Sequence, residues 1–165
     1  MIHKALNSIP SRPVTFIVPL VVTLVLGFYY WTRNTECIAR AELRTHFTQK
    51  IEESAQSNST LNLVDITDFP WQQVKGFVNF KPQHQRTSCP FSWDWPGDDR
   101  QNIIDSGLLS VLIFFDAGSV SNYIEFRSDR IAIEEFEKSI TRESARFDVN
   151  KDPGSNGIFR LTLLR

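Results

Sequence analysis

Three histidines and two cysteines are the scarce side chains in this sequence to weigh first as nucleophile, base or metal ligand. His3 lies near the start and His46 in a charged, helix-like stretch, so only His84 has a thiol near it, Cys89. A cysteine nucleophile needs a base within hydrogen-bond reach and a third group to orient that base. No such third group is apparent, and Cys89-Pro90 reads better as a disulfide or packing site. "DVNKDPGSNG" imitates a calcium loop, with Asp148, Asn150, Asp152 and Asn156 at positions one, three, five and nine. It then fails at position six, where Pro153 replaces the required Gly, and at position twelve, where Phe159 replaces the bidentate Glu. A hairpin turn explains the same residues. Asp94, Asp98 and Asp99 share one loop, and neighbouring turn carboxylates are ordinarily solvated. HExxH, GxSxG, SxxK, GxGxxG and P-loop patterns are absent from the sequence. The expectation is a domain that is not an enzyme, with no catalytic residue, no cofactor and no metal.

Binding residues are a better prospect. Lys81–Asn102, "KPQHQRTSCPFSWDWPGDDRQN", is a long irregular stretch, and such stretches in a compact domain are functional or disordered. Its aromatic residues argue for order. Trp is favoured at the centre of protein interfaces because it buries a large area with few torsions. Arg86, Phe91, Trp93, Asp94, Trp95, Asp98, Asp99 and Arg100 are therefore the candidate partner-binding residues. The competing reading has the two Trp covering the edge of the protein's own sheet. Net charge is −1, which gives no general electrostatic case for nucleic acid.

The elements that must position this loop follow from hydrophobic patterning. Ala39, Leu43, Phe47, Ile51 and Ala55 recur every four residues, which predicts a helix over about Asn34–Ala55. "QSNST" ends it in small polar residues. "TLNLVDI" and "QVKGFVNF" read as strands. Leu108–Phe115 and Ser119–Phe126 read as a hairpin closed by Asp116-Ala117-Gly118. The first arm is apolar on both faces, so it belongs at the centre of a sheet. In the second, Ile124 and Phe126 point one way while Glu125 and Arg127 point the other. Ile133, Phe136 and Ile140 predict a short amphipathic helix, with Asp129 as its N-cap. "RFDVNKDPGSNGIFRLTLL" reads as strand, turn, strand. The sum is α+β: an N-terminal helix, then an antiparallel sheet of five or six strands with helices on one face.

One segment stands apart. Val14–Trp31 carries no charged residue. At 1.5 Å per residue its length is about 27 Å, close to the hydrocarbon thickness of a bilayer. Phe28, Tyr29, Tyr30 and Trp31 cluster at its end as an interfacial belt would. A signal peptide would end in small residues, and Tyr-Tyr-Trp-Thr-Arg does not. The expected organisation is a cytoplasmic tail at 1–13, a transmembrane anchor at 14–31, a juxtamembrane helix and linker at 32–60, and an extracytoplasmic domain at 61–165. The expected location is the bacterial inner membrane, single-pass, with the C-terminal domain in the periplasm. Basic residues flank the segment almost equally, so orientation rests on Cys37 and Cys89 lying on the far side. An even pair there suits one disulfide in an oxidising space, and two buried free thiols is the competing reading.

Val64–Pro82, "VDITDFPWQQVKGFVNFKP", resembles a pattern in small extracytoplasmic bacterial proteins that are anchored by a membrane helix or a lipid. In that pattern an acidic-aromatic DFxW leads into a strand ending FxP. Asp68, Phe69, Trp71, Val74, Phe77, Phe80 and Pro82 match it. Gln72 and Gln83 depart from it, standing where an acidic residue and a Tyr are usual. Some proteins of that build are immunity proteins, which protect a cell from a toxin delivered by a neighbour. The resemblance implies an extracytoplasmic, non-enzymatic domain, and it carries over no catalytic residue. In physical terms Asp68 caps a turn, Pro70 rigidifies it, and Phe69 and Trp71 bury beside the sheet. The leading expectation is a membrane-anchored periplasmic immunity protein that binds a toxin. The alternative is an accessory subunit of a cell-envelope complex. No residue pattern sets the oligomeric state.

Overall fold

The computed structural model describes residues 14–82, 89, 95, 99–134, 136, 138–151 and 157–164, with side chains from Val18 onward. One helix, α1, runs without interruption over Val14–Ser57. It therefore joins the expected anchor and the expected juxtamembrane helix into a single rod. Pro19 sits inside it, and the Thr23 hydroxyl donates to the Pro19 carbonyl at 2.8 Å. The C-terminal end is closed by Asn58 at φ 49°, with the Ser59 N–H reaching back to the Ser54 carbonyl at 3.0 Å. That is the left-handed cap with which many helices stop.

Among the described residues no helix is long and apolar enough to cross a membrane, and this overturns the expected single-pass inner-membrane location. Within the described side chains the apolar run opens at Val18. A stretch of 18 residues from there already takes in Thr32, Arg33, Asn34 and Thr35. Their polarity dilutes the run.

Eight strands follow among the described residues: β1 Leu61–Asn62, β2 Gln73–Phe77, β3 Leu109–Asp116, β4 Ser119–Arg127, β5 Ile131–Ile133, β6 Ile140–Thr141, β7 Arg146–Lys151 and β8 Phe159–Leu163. The class is α+β, as the patterning predicts. The expected single antiparallel sheet is corrected to two four-stranded sheets, ordered β1-β7-β8-β5 and β4-β3-β2-β6. One pair, β5 with β8, is parallel. β3 is indeed central, between β4 and β2. Its hairpin with β4 turns on Ala117 and Gly118, both at positive φ (46° and 79°), which is the geometry that matches strand twist in a two-residue turn. The register slips between Phe114 and Phe115, leaving Ser121 as the extra residue of a bulge.

The amphipathic helix expected after Asp129 is not formed. Ile131–Ile133 pairs with Phe159–Leu161 as β5, and Ile140–Thr141 pairs with Gln73–Val74 as β6. Ile133, Phe136 and Ile140 still reach the core, but from two strands and a linker. β-branched residues fit a pleat, and backbone partners on β8 and β2 were available to them. Asp129 caps nothing; its carboxylate takes the Arg127 guanidinium at 2.9 and 2.7 Å.

The main core lies where α1 meets both sheets. Phe47 and Ile51 of α1 pack with Val74, Leu112, Phe114, Ile124, Phe126, Phe147 and Leu161, all almost fully buried. The Phe47 and Phe126 rings pack at a tilt, centroids 5.5 Å apart. A second, smaller cluster of Trp95, Ile103 and Leu109 covers another part of the β3–β4 surface. Gly76 on β2 lets the Phe136 ring close over the strand, since a Cβ there would stand 2.7 Å from that ring. Gly76→Ala is expected to cost about 1–3 kcal/mol, the range for overpacking a filled core. Urea denaturation at unchanged m value would show it.

Candidate protein-binding cleft

The segment that carries the DFxW resemblance is built as a staple. Asn62 Oδ1 accepts from the Val64 N–H at 3.3 Å and starts a 3₁₀ turn, Leu63–Asp65. Thr67 is buried; its hydroxyl donates to the Leu63 carbonyl at 2.9 Å and accepts from Trp71 Nε1 at 2.7 Å. Phe69 and Trp71 then set their edges against the Phe114 ring, at 5.2 and 5.1 Å. With both aromatics and Thr67 turned inward, Asp65 and Asp68 are left exposed on the rim.

α1 supplies the opposite wall. Glu36, Arg40, Leu43 and His46 fall on one face by their spacing. Between this face and Asp65–Phe69 lies a cleft of about 530 Å³, which Asn122 of β4 also lines. Leu43, Ile66 and Phe69 give it apolar wall, and Glu36, Glu42, Asp65 and Asp68 give it carboxylates. Among the described residues Arg40 is the one guanidinium on it, and it is already engaged, 3.2 Å from Glu36 and 5.7 Å from the Tyr123 ring. The cleft is thus apolar with a negative rim.

Of the eight residues predicted from the long loop, three are among the described residues, and none of those three lines the cleft. Arg86, Phe91, Trp93, Asp94 and Asp98, with His84, lie outside the described residues. The other three serve the fold. Trp95 is 3% exposed rather than displayed, with the Arg44 guanidinium stacked on it at 3.9 Å. Asp99 caps a short helix, α2 (Arg100–Asp105), by accepting from the Gln101 N–H. Arg100 forms a two-pronged pair with Glu125, whose carboxylate also takes Trp95 Nε1 at 3.3 Å. Cys37 and Cys89 are bonded, Cα atoms 5.9 Å apart, which ties this loop to α1. Of the calcium-like residues, Asp148 and Asn150 sit on β7 and hydrogen-bond to each other at 2.7 Å, while Asp152 and Asn156 lie outside the described residues. Sequence reasoning missed the cleft. Asp65 and Asp68 bracket Ile66-Thr67 at a spacing of three, and that was its one local signal.

The carboxylates held below their usual range lie away from the cleft. Hydrogen bonds from Lys50 and Gln49 lower Glu53, and backbone and Thr141 hydrogen bonds lower Glu143. The Arg127 guanidinium lowers Asp129. A lowered carboxyl stabilises the fold above its unfolded pKa, and that contribution fades as pH falls through the folded value. For Asp129 it is small, about 0.5 kcal/mol for a pair this open to water. Asp129→Asn should therefore lower stability by that amount at neutral pH, and the difference should vanish in acid melts.

No protein-family model matches the chain, and no curated protein or solved structure matches it.

Proposed function

We propose that the chain is a protein-binding domain of the immunity type, which neutralises an antibacterial toxin by occupying it. The observation that carries this reading is the cleft: apolar walls of Leu43, Ile66 and Phe69 inside a rim of four carboxylates. Its complement is a Lys- or Arg-bearing surface with an apolar centre. Such complementarity steers encounter and selects partners. One wall of the cleft belongs to the segment that resembles small anchored bacterial proteins, some of which are immunity proteins, and Asp68 and Phe69 are common to the resemblance and the cleft.

The test is genetic first. Deleting the gene should be lethal only where a neighbouring toxin gene is intact; deletion that is harmless beside an active toxin removes the reading. Asp65→Lys with Asp68→Lys should then abolish protection and weaken toxin binding by roughly 100-fold, about 2.7 kcal/mol. Both positions are exposed, so the melting temperature should hold.

A further inference from the structure

The N-terminal half of α1 presents a second surface, separate from the cleft. Val18, Leu20, Leu24, Phe28 and Trp31 are 56–72% exposed, and Val21, Val22, Val25, Leu26, Tyr29 and Tyr30 between them are 50–61% exposed. Open side chains of that size amount to on the order of 1,000 Å² over Val18–Trp31. The largest apolar patch on an ordinary monomer is about half that.

One face of this stretch has a shape. Thr23, Leu26, Gly27, Tyr30, Trp31 and Asn34 line a concavity of about 490 Å³. Thr23, Gly27, Tyr30 and Asn34 are spaced four, three and four, the seam that a second helix follows. Gly27 lies in the middle of this row with open space over its Cα. Two backbones approach closely at such a point. At the seam's end the Asn34 Oδ1 is buried and has no hydrogen-bond partner among the described residues. An orphaned acceptor of that kind costs about 1–3 kcal/mol.

We propose that α1 pairs in parallel with α1 of a second copy of this chain along Thr23, Gly27, Tyr30 and Asn34. A carboxamide holds both donor and acceptor, so its complement at a two-fold seam is the same carboxamide on the other copy. The terminal torsion of Asn is soft, and a turn about it brings the amide to the concavity that Asn34 lines. An antiparallel pair would instead set Asn34 near Thr23, whose hydroxyl is already given to Pro19. If each copy buries half of its open surface here, the pair covers on the order of 1,000 Å² in total, the low end of specific interfaces. Val18, Val25 and Phe28 fall on the opposite face and remain outside it.

The experiment adds one cysteine at a time to the full chain, whose own two are already bonded. Thr23→Cys, Gly27→Cys and Tyr30→Cys should each give a disulfide-linked dimer on oxidation, while Val21→Cys, Val25→Cys and Phe28→Cys should not. Gly27→Leu and Asn34→Ala should each cut linkage through Tyr30→Cys at least tenfold. A merely structural Asn34 would leave linkage unchanged on substitution. Equal linkage at all six positions would mean unspecific apolar contact and would overturn the pairing. So would no linkage with flotation of the chain on phosphatidylglycerol vesicles, since lipid would then be the cover.

Discussion

Replacing both Cys37 and Cys89 by Ser is expected to lower the unfolding free energy by about 4 kcal/mol, the chain-entropy value for a bridge that closes a loop of this length. The two residues are 52 apart in sequence. Without the bond, the denatured chain regains the freedom of that whole stretch, while the folded chain loses a single tie between α1 and the segment leading to Trp95. Both cysteines are buried, at 1% and 4% exposure, so each Ser also places a hydroxyl where a sulfur had been. Urea denaturation reads the effect as a lower midpoint. The m value should rise in the variant, because an uncrosslinked denatured state exposes more surface. Reduction of the native protein should reproduce the same shift without any substitution. A midpoint unchanged by either treatment would mean that the bond constrains nothing the fold does not already hold.

What could be read from the residues alone divides along a physical line. The β3–β4 hairpin was legible because alternation, β-branching and Ala117-Gly118 all favour the same local geometry. The stripe Leu43, Phe47, Ile51 was legible because helical spacing and burial coincide. The spacing of Ile133, Phe136 and Ile140, which predicts a helix, fits either element, and β5 and β6 are settled only by partners far along the chain, on β8 and β2. The same reason explains two sheets in place of one. Strand patterning fixes which residues turn inward but not which sheet a strand joins. At the site the limit is similar. Trp95 and Arg100 look like a display of recognition residues in sequence, since nothing local says that Glu125 waits on β4 to receive both. The cleft forms between α1 and Asp65–Phe69, two stretches whose meeting depends on how Phe69 and Trp71 pack on Phe114.

Glu125→Ala is expected to be as damaging as loss of the disulfide, at about 3–5 kcal/mol, the cost of stranding one member of a buried ion pair. Alternation along β4 sends Ile124 and Phe126 into the main core and Glu125 to the other face, where α2 and Trp95 cover it. Its side chain is 7% exposed and that of Arg100 is 14% exposed. The carboxylate accepts from Arg100 Nε at 2.9 Å and from Nη2, and it takes the Trp95 indole N–H as well. Truncation would take that acceptor from a guanidinium and an indole N–H that are both largely buried. The pair itself need not be worth that much, since its attraction is offset by the cost of taking two charges out of water. Arg100→Met with Glu125→Leu should therefore recover most of the loss, so the double variant should be more stable than Glu125→Ala alone. A double variant that is no better would show that the charges contribute specific stabilisation beyond filling the space. Fluorescence separates this from general unfolding: Trp95 keeps its Arg44 cover at 3.9 Å but loses its indole acceptor, so its emission should shift while the chain remains folded. The long loop would then be held by two different ties, a covalent one at Cys89 and an electrostatic one at Arg100. Cutting both should leave α1 and the two sheets intact while the Trp95 cluster opens, because Phe47, Phe114 and Phe147 belong to the other core.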